Sequence, residues 1–171
     1  MRTRIIVSQG RVADRTGGAL VGAQLTGNLF AAETGETPIT IGTPETPRQD
    51  QWDVALKHAE TTLAGLAEAV NDALDEGLVP LLATNTCAAS IATLPAAAAH
   101  NPSTVFLWID AHADFHTPET TESGYLGGMA LAATCGLWES GYGGSVDPKR
   151  VILVGARDID PAEQELITQV G

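Results

Sequence analysis

The sequence predicts a single α/β domain, a three-layer α/β/α sandwich on a mainly parallel sheet. Two observations carry this. Short apolar runs at 4–7, 78–83, 104–109 and 150–154 alternate with segments of helical periodicity, the order that builds βαβ units. The 171 residues contain no internal repeat, low-complexity tail or linker, so 1–171 reads as one domain. With 44% apolar and 18% charged residues, the chain has enough apolar material for a real core.

Residues 4–7 read as a first buried strand. Residues 10–42, rich in Gly and Thr, read as loop with one short strand. Thr46-Pro47 or Asp50 is expected to open a helix. Its apolar stripe runs through Trp52, Leu56, Ala59, Leu63, Leu66, Val70 and Leu74 at steps of three and four, with Gly77 as its stop. Residues 78–83 then form a strand. The Ala-rich stretch 88–99 reads as helix interrupted by Pro95.

Residues 104–109, Thr-Val-Phe-Leu-Trp-Ile, give the strongest strand signal in the chain. A buried helix is expected over 127–138 and a core strand over 150–154. Asp160-Pro161-Ala162-Glu163 places an N-cap acid, Pro at N1 and Glu at N3, and so begins a last helix.

Nine Lys+Arg against 21 Asp+Glu give a net charge of −12. Between Lys57 and Lys149 there is no basic residue and there are eleven acids. Nucleic-acid binding needs clustered Lys and Arg, so that class is excluded. An acidic middle suits a metal or a cationic small molecule. No apolar run is long enough to cross a membrane or serve as a signal peptide. Cys87 and Cys135 form no CxxC pair, and a reduced, cytoplasmic setting is expected. No nucleophile elbow, phosphate-binding loop or dinucleotide fingerprint occurs.

The chemistry-bearing stretch is Asp110-Ala-His112-Ala-Asp114, directly after the best strand. In extended backbone, alternate residues point the same way, which would bring two carboxylates and one imidazole together. Ligands of open α/β sheets bind beyond the carboxyl ends of strands, where this triplet falls. Oxygen and imidazole donors suit Mn²⁺, Zn²⁺ or Fe²⁺. A polar loop with a solvated His112 is the competing reading.

The segment from Asp110 to Met129, with its Asp-Ala-His-x-Asp, Thr-Pro, Ser-Gly and Gly-Met steps, resembles the signature of the arginase/agmatinase (ureohydrolase) family. Val154-Gly-Ala-Arg-Asp-Ile-Asp-Pro-x-Glu163 is similar to the family's next stretch. The resemblance implies an arginase-like fold and a binuclear manganese hydrolase of guanidino or amidino compounds that releases urea. It implies Asp110 bridging two Mn²⁺ ions, with Asp114 on one and His112 on the other.

Other positions depart from the family. Alignment on Ile91-Ala-Thr-Leu94 puts Cys87 where the family carries a histidine ligand. A thiolate there shifts preference toward Zn²⁺ or Fe²⁺; a small buried cysteine at a helix start is the competing reading. Gly127 replaces the family's proton-shuttle histidine, while His116 and Tyr125 replace polar substrate contacts. His116 is the candidate to take over proton transfer, and Tyr125 the candidate substrate contact, against solvent exposure as the alternative for His116. These departures imply a substrate other than free arginine, with agmatine, guanidinobutyrate and formimidoyl compounds as candidates.

The family's later Asp-x-Asp ligand motif has no counterpart in these residues. The expectation is therefore a chain that is inactive alone, that exposes an apolar sheet edge, and that needs a homo-oligomer or a complementary C-terminal segment. A non-catalytic arginase-fold protein with a degraded metal site, assembling with or regulating a partner, is the alternative.

Overall fold

The computed structural model describes residues 2–144 and 146–171. Three strands pair in the order β2–β1–β3, formed by Ile39–Ile41, Thr3–Ser8 and Val79–Ala83. Both pairings are parallel, with Ile6 opposite Ile39 and Ile5 opposite Leu81. A second parallel pair joins β4 (Phe106–Ile109) to β5 (Val151–Val154), with Trp108 opposite Leu153. The parallel α/β architecture expected from the alternation is present.

The layers follow from which residues β1 turns to each face. Ile5 and Val7 pack with Ala83, Phe30 and Ala31, the last two from α1 (Gly18–Thr34). Ile6 faces the other way, onto Leu66 and Val70 of α2 (Trp52–Asp75) and Ala96 of α3 (Ser90–His100). Helices thus cover both faces of the three-stranded sheet. A Cβ at Gly27 would stand 2.3 Å from Val7 Cγ2, so glycine sets how closely α1 approaches β1.

Helix α1 corrects the expectation of loop over 10–42. Its apolar residues Val21, Leu25 and Leu29 face solvent (Leu29 is 65% exposed), while Ala23 and Gly27 are buried. Apolar residues lie on both sides of this helix, so Leu20, Ala23, Gly27, Phe30 and Ala31 on the inward side have no polar contrast to mark them, and Gly17 and Gly35 flank it without a side-chain cap. Sequence periodicity has nothing to read there.

The stripe of α2 does face the core, and the helix starts at Trp52 rather than at Thr46 or Asp50. It ends as expected at Gly77: φ is +68°, and Leu78 N–H reaches back to Ala73 C=O at 2.8 Å. Helix α3 runs through Pro95 without interruption, following a 3₁₀ turn at Cys87–Ala89. The expected 127–138 helix shortens to a 3₁₀ turn, Leu126–Met129, and α4, Ala130–Thr134. Gly136, at φ +72°, stops it. The last helix α5, Pro161–Val170, opens on the expected capping box.

Exposed apolar surface lies on a face more than along an edge. Phe106, Trp108, Val151 and Leu153 pack against the main core. Their alternates Leu107, Ile109, Ile152 and Val154 are open to solvent, Ile109 at 74%.

Candidate metal centre and pocket

The carboxyl ends of β3 and β4 meet at the site. Asp110 directly follows β4 and is tied to β5 by its N–H to Val154 C=O at 3.1 Å. Beyond β3, Asn85 donates to Gly10 C=O (3.0 Å) and to Asp14 Oδ2 (2.5 Å), and the Thr86 hydroxyl donates to Val12 C=O. These bonds lash the turn that carries Cys87 to the loop after β1. Asp14 is itself buried, and burial raises its carboxyl above the usual range.

Asp114 is held by its backbone. It sits at φ +50°, unusual for a residue with a side chain, and its C=O accepts from Leu131 N–H (2.9 Å) and Ala132 N–H (3.2 Å) at the start of α4. Backbone in this region persists only when the surroundings enforce it. The bend aims the carboxylate inward, where Oδ2 is buried with no hydrogen-bond partner among the described residues.

The donor atoms of Cys87, Asp110 and Asp114 all lie within 4.8 Å of one another. Cys87 Sγ–H points to Asp110 Oδ2 at 3.8 Å. His112 stands beside this group and outside it. Its N–H donates to Asp110 Oδ1 (3.0 Å) and Nδ1 lies 3.2 Å from the same oxygen, with Nε2 3.8 Å from Asp158 and the side chain 59% exposed. The extended run expected over 110–114 is absent because β4 ends at Ile109 and the chain bends at 110–112, where the His112 N–H turns back onto Asp110 Oδ1.

Burial followed by the neighbouring Asp114 and Asp110 carboxylates pushes the Cys87 thiol up to about 12. Burial likewise raises Asp114 to about 6. Burial would also raise Asp110, but the hydrogen bonds from His112 outweigh it and hold that carboxyl below its ordinary range. A thiol, two crowded carboxylates and an orphaned buried oxygen fit a divalent cation, which would satisfy that oxygen and favour the ionised form of each ligand.

A cavity of about 240 Å³ adjoins the centre, with Asp114, His116, Tyr125, Asp158, Asp160 and Glu163 in its walls. His116 is half-buried, with Nε2 3.0 Å from Asp160 Oδ2 and Nδ1 3.2 Å from Thr120 Oγ1. It belongs to a second group with Asp160 and Glu163, and is not a freely solvated loop histidine. Tyr125 enters from the turn before α4, and its ring lies 4.6 Å below the Arg15 guanidinium carbon.

Glu163 does more than its sequence position announced. One oxygen accepts from Asp160 N–H (3.0 Å) and closes the capping box, while the other accepts from Phe115 N–H at 2.8 Å. It thereby fastens α5 to the segment that bears Asp114 and His116. The capping motif was legible in sequence; the second partner, 48 residues away, was not.

The model of the arginase family matches residues 14–171. The chain is 46% identical over 167 residues to an N(omega)-hydroxy-L-arginine amidinohydrolase from Streptomyces lavendulae, covering 98% of this chain and 61% of that protein. It is 34% identical over 128 residues to an arginase from Bacillus subtilis, covering 70% of this chain and 43% of that protein. The crystal structure of a Bacillus subtilis arginase superposes with a TM-score of 0.79 at 26% identity, over 100% of this chain and 61% of that one. The chain thus spans less than two thirds of the relatives it matches. With the parallel sheet, the Asp110–Asp114 segment and the 154–163 segment all in place, the chain belongs to the arginase family.

Proposed function

We propose that this protein is a metal-dependent hydrolase that cleaves a C–N bond of a guanidino compound. The observation that carries the reading is the convergence of Cys87, Asp110 and Asp114 donor atoms around a buried, unpartnered carboxylate oxygen. Asp110, Asp114 and Cys87 would hold the metal, with His112 adjacent to complete the set on the Asp110 side. Manganese is the ion the carboxylates favour, and the thiolate moves the balance toward Zn²⁺ or Fe²⁺. When bound, the metal supplies a lowered water pKa and charge stabilisation.

The acidic walls around Asp114, Asp160 and Glu163 suit a cationic, guanidinium-bearing substrate. Among such substrates we favour an N-hydroxylated arginine, on the strength of the 46% identity to the Streptomyces amidinohydrolase. Water adds to the guanidino carbon, the bond to the chain nitrogen breaks, and hydroxyurea and an amine leave. The amine must gain a proton, and His116, reachable in the same cavity, is the candidate donor. Tyr125 lines the same space as a substrate contact. The alternative of a non-catalytic fold is not favoured, because the metal donors are assembled and the relatives are named as hydrolases.

The reading includes cover for the apolar β4–β5 face, from a complementary C-terminal segment or a second copy of the chain. It also places the protein in a reducing cytoplasm, where Cys87 and Cys135 stay free thiols; no described helix is long and apolar enough to cross a membrane. Metal content after purification without chelators, together with product release across N-hydroxyarginine, arginine, agmatine and guanidinobutyrate, tests the proposal. Absence of bound metal, or of turnover on every compound once the β4–β5 face is covered, would refute it.

A further inference from the structure

We propose that Asp14, in the loop after β1, is a positioning residue for the metal centre. Through Asn85 it fixes the turn that carries Cys87, and so sets how far the thiol governs the choice of metal. This rests on the reading of Cys87 as a metal donor. Three acids are buried among the described residues: Asp14, Asp114 and Glu163. Asp114 is one of the donors and Glu163 fastens α5. Asp14, only 1% exposed, is in neither the donor group nor the wall of the 240 Å³ cavity.

One oxygen of Asp14 joins two loops. Oδ2 accepts from Val12 N–H in its own loop (2.7 Å) and from Asn85 Nδ2–H in the turn after β3 (2.5 Å). Asn85 and Thr86 send their other side-chain bonds to Gly10 C=O and Val12 C=O of the same loop. Apart from the contact of Cys87 with Asp110, the side-chain hydrogen bonds that leave residues 84–87 among the described residues all end there. The receiving loop is itself firmly set. Ala13 is held at φ +64°, Arg48 N–H donates to Asp14 C=O at 3.0 Å, and Arg11 pairs with Asp50 at 2.7 Å.

A carboxylate at this place is unfavourable in itself. Burial raises Asp14 above the usual range, and its Oδ1 has no partner among the described residues. An apolar residue would remove that cost, and with it the acceptor the two loops share. The consequence for the metal is one-sided. Cys87 follows Asn85 by two residues, whereas Asp110 is tied to β5 and Asp114 to the start of α4. Loosening Asp14 therefore moves the thiol and leaves the two carboxylates where they are. A centre that loses its soft donor and keeps its hard ones shifts preference toward Mn²⁺.

The test loads the native chain, Asp14→Ala, Asp14→Asn and Asp50→Asn with Co²⁺, after circular dichroism has established that each is folded. It reads the near-ultraviolet thiolate-to-cobalt charge-transfer band, and competitive dialysis gives the Co²⁺ to Mn²⁺ affinity ratio. Asp14→Ala should lower that ratio by about tenfold, the scale of a lost supporting bond, and should lose band intensity per bound ion. Asp14→Asn keeps an acceptor for both donors and should recover most of the band. Asp50→Asn loosens the same loop through its partners Arg11 and Arg15, and should leave band and ratio as in the native chain. If Asp14→Ala does not fold, Asn85→Ala, which removes the donor instead, must give the same shift. A native band and ratio in Asp14→Ala, or an equal shift in Asp50→Asn, would overturn the assignment and leave Asp14 as a loop support. Absence of the band from the native chain would instead remove Cys87 from the centre, and the positioning role with it.

Discussion

The ring of Tyr125 occupies the space that a side chain at position 127 would need, with Cε1 only 2.4 Å from where a Cβ on Gly127 would stand. The absence of a side chain at one position is thus what shapes the other. Gly127→Ala should push the ring away from Arg15 and destabilise the fold by about 1–3 kcal/mol through overpacking. Thermal melting of Gly127→Ala, Tyr125→Leu and the double variant checks it. Strictly additive losses would show that the two residues do not interact.

Metal binding should depend unequally on the donor set. Asp114→Asn is expected to lower divalent-metal affinity by more than about tenfold, since supporting residues alone are worth that much. Cys87→Ser should shift preference from Zn²⁺ toward Mn²⁺ by removing the soft donor. Competitive equilibrium dialysis with both ions reads each effect. An unchanged ratio in Cys87→Ser would remove the thiol from the centre.

The metal-free chain should lose stability with rising pH. Asp114 has a carboxyl raised from 3.8 to about 6, chiefly by burial, so the folded state holds its proton more tightly than the unfolded state. That contribution is fully present below about 3.8 and is lost as pH climbs through about 6. The size is about 1–3 kcal/mol. Melting in chelator at acid and neutral pH measures it, and added metal should reverse the loss by favouring the carboxylate. A metal-free chain equally stable on both sides of the window would contradict the crowding inferred at Asp114.

Glu163 joins α5 to the site segment through two backbone N–H groups. Removing both acceptors in Glu163→Ala should cost about 2–4 kcal/mol, because each buried donor left unpaired is expensive. Glu163→Gln retains one good acceptor and should cost about half as much. Denaturant titration decides; a loss within about 0.5 kcal/mol of native would mean the bonds are replaced by water.

Much of the site was legible because its residues are adjacent in sequence. Asp110 and Asp114 follow one strand, and the Asp160 capping box announces its helix in four residues. Cys87 could be placed only by alignment on the apolar stretch after it. Its meeting with Asp110 depends on how the 3₁₀ turn after β3 sits against the end of β4. Arg15 carried no local signal at all, since its partners Asp50, Ser123 and Tyr125 lie far along the chain.

By itself the sequence determined the α/β alternation, the parallel strands and the stripe of α2, because hydrophobic period and turn chemistry are local properties. It also determined which carboxylates stand at a strand end. Tertiary structure decided the rest. It decided which side of α1 is buried, since apolar residues lie on both: Leu20, Ala23 and Gly27 face inward, with Gly27 close on Val7 of β1, while Val21, Leu25 and Leu29 stay exposed. It bent the chain at 110–112, leaving His112 outward with its N–H on Asp110, and it held Asp114 inward, because two N–H groups of α4 fix that residue in a conformation the chain would not adopt alone. And it set a guanidinium from the first loop over a phenol from the turn before α4, a contact across 110 residues that only packing could create.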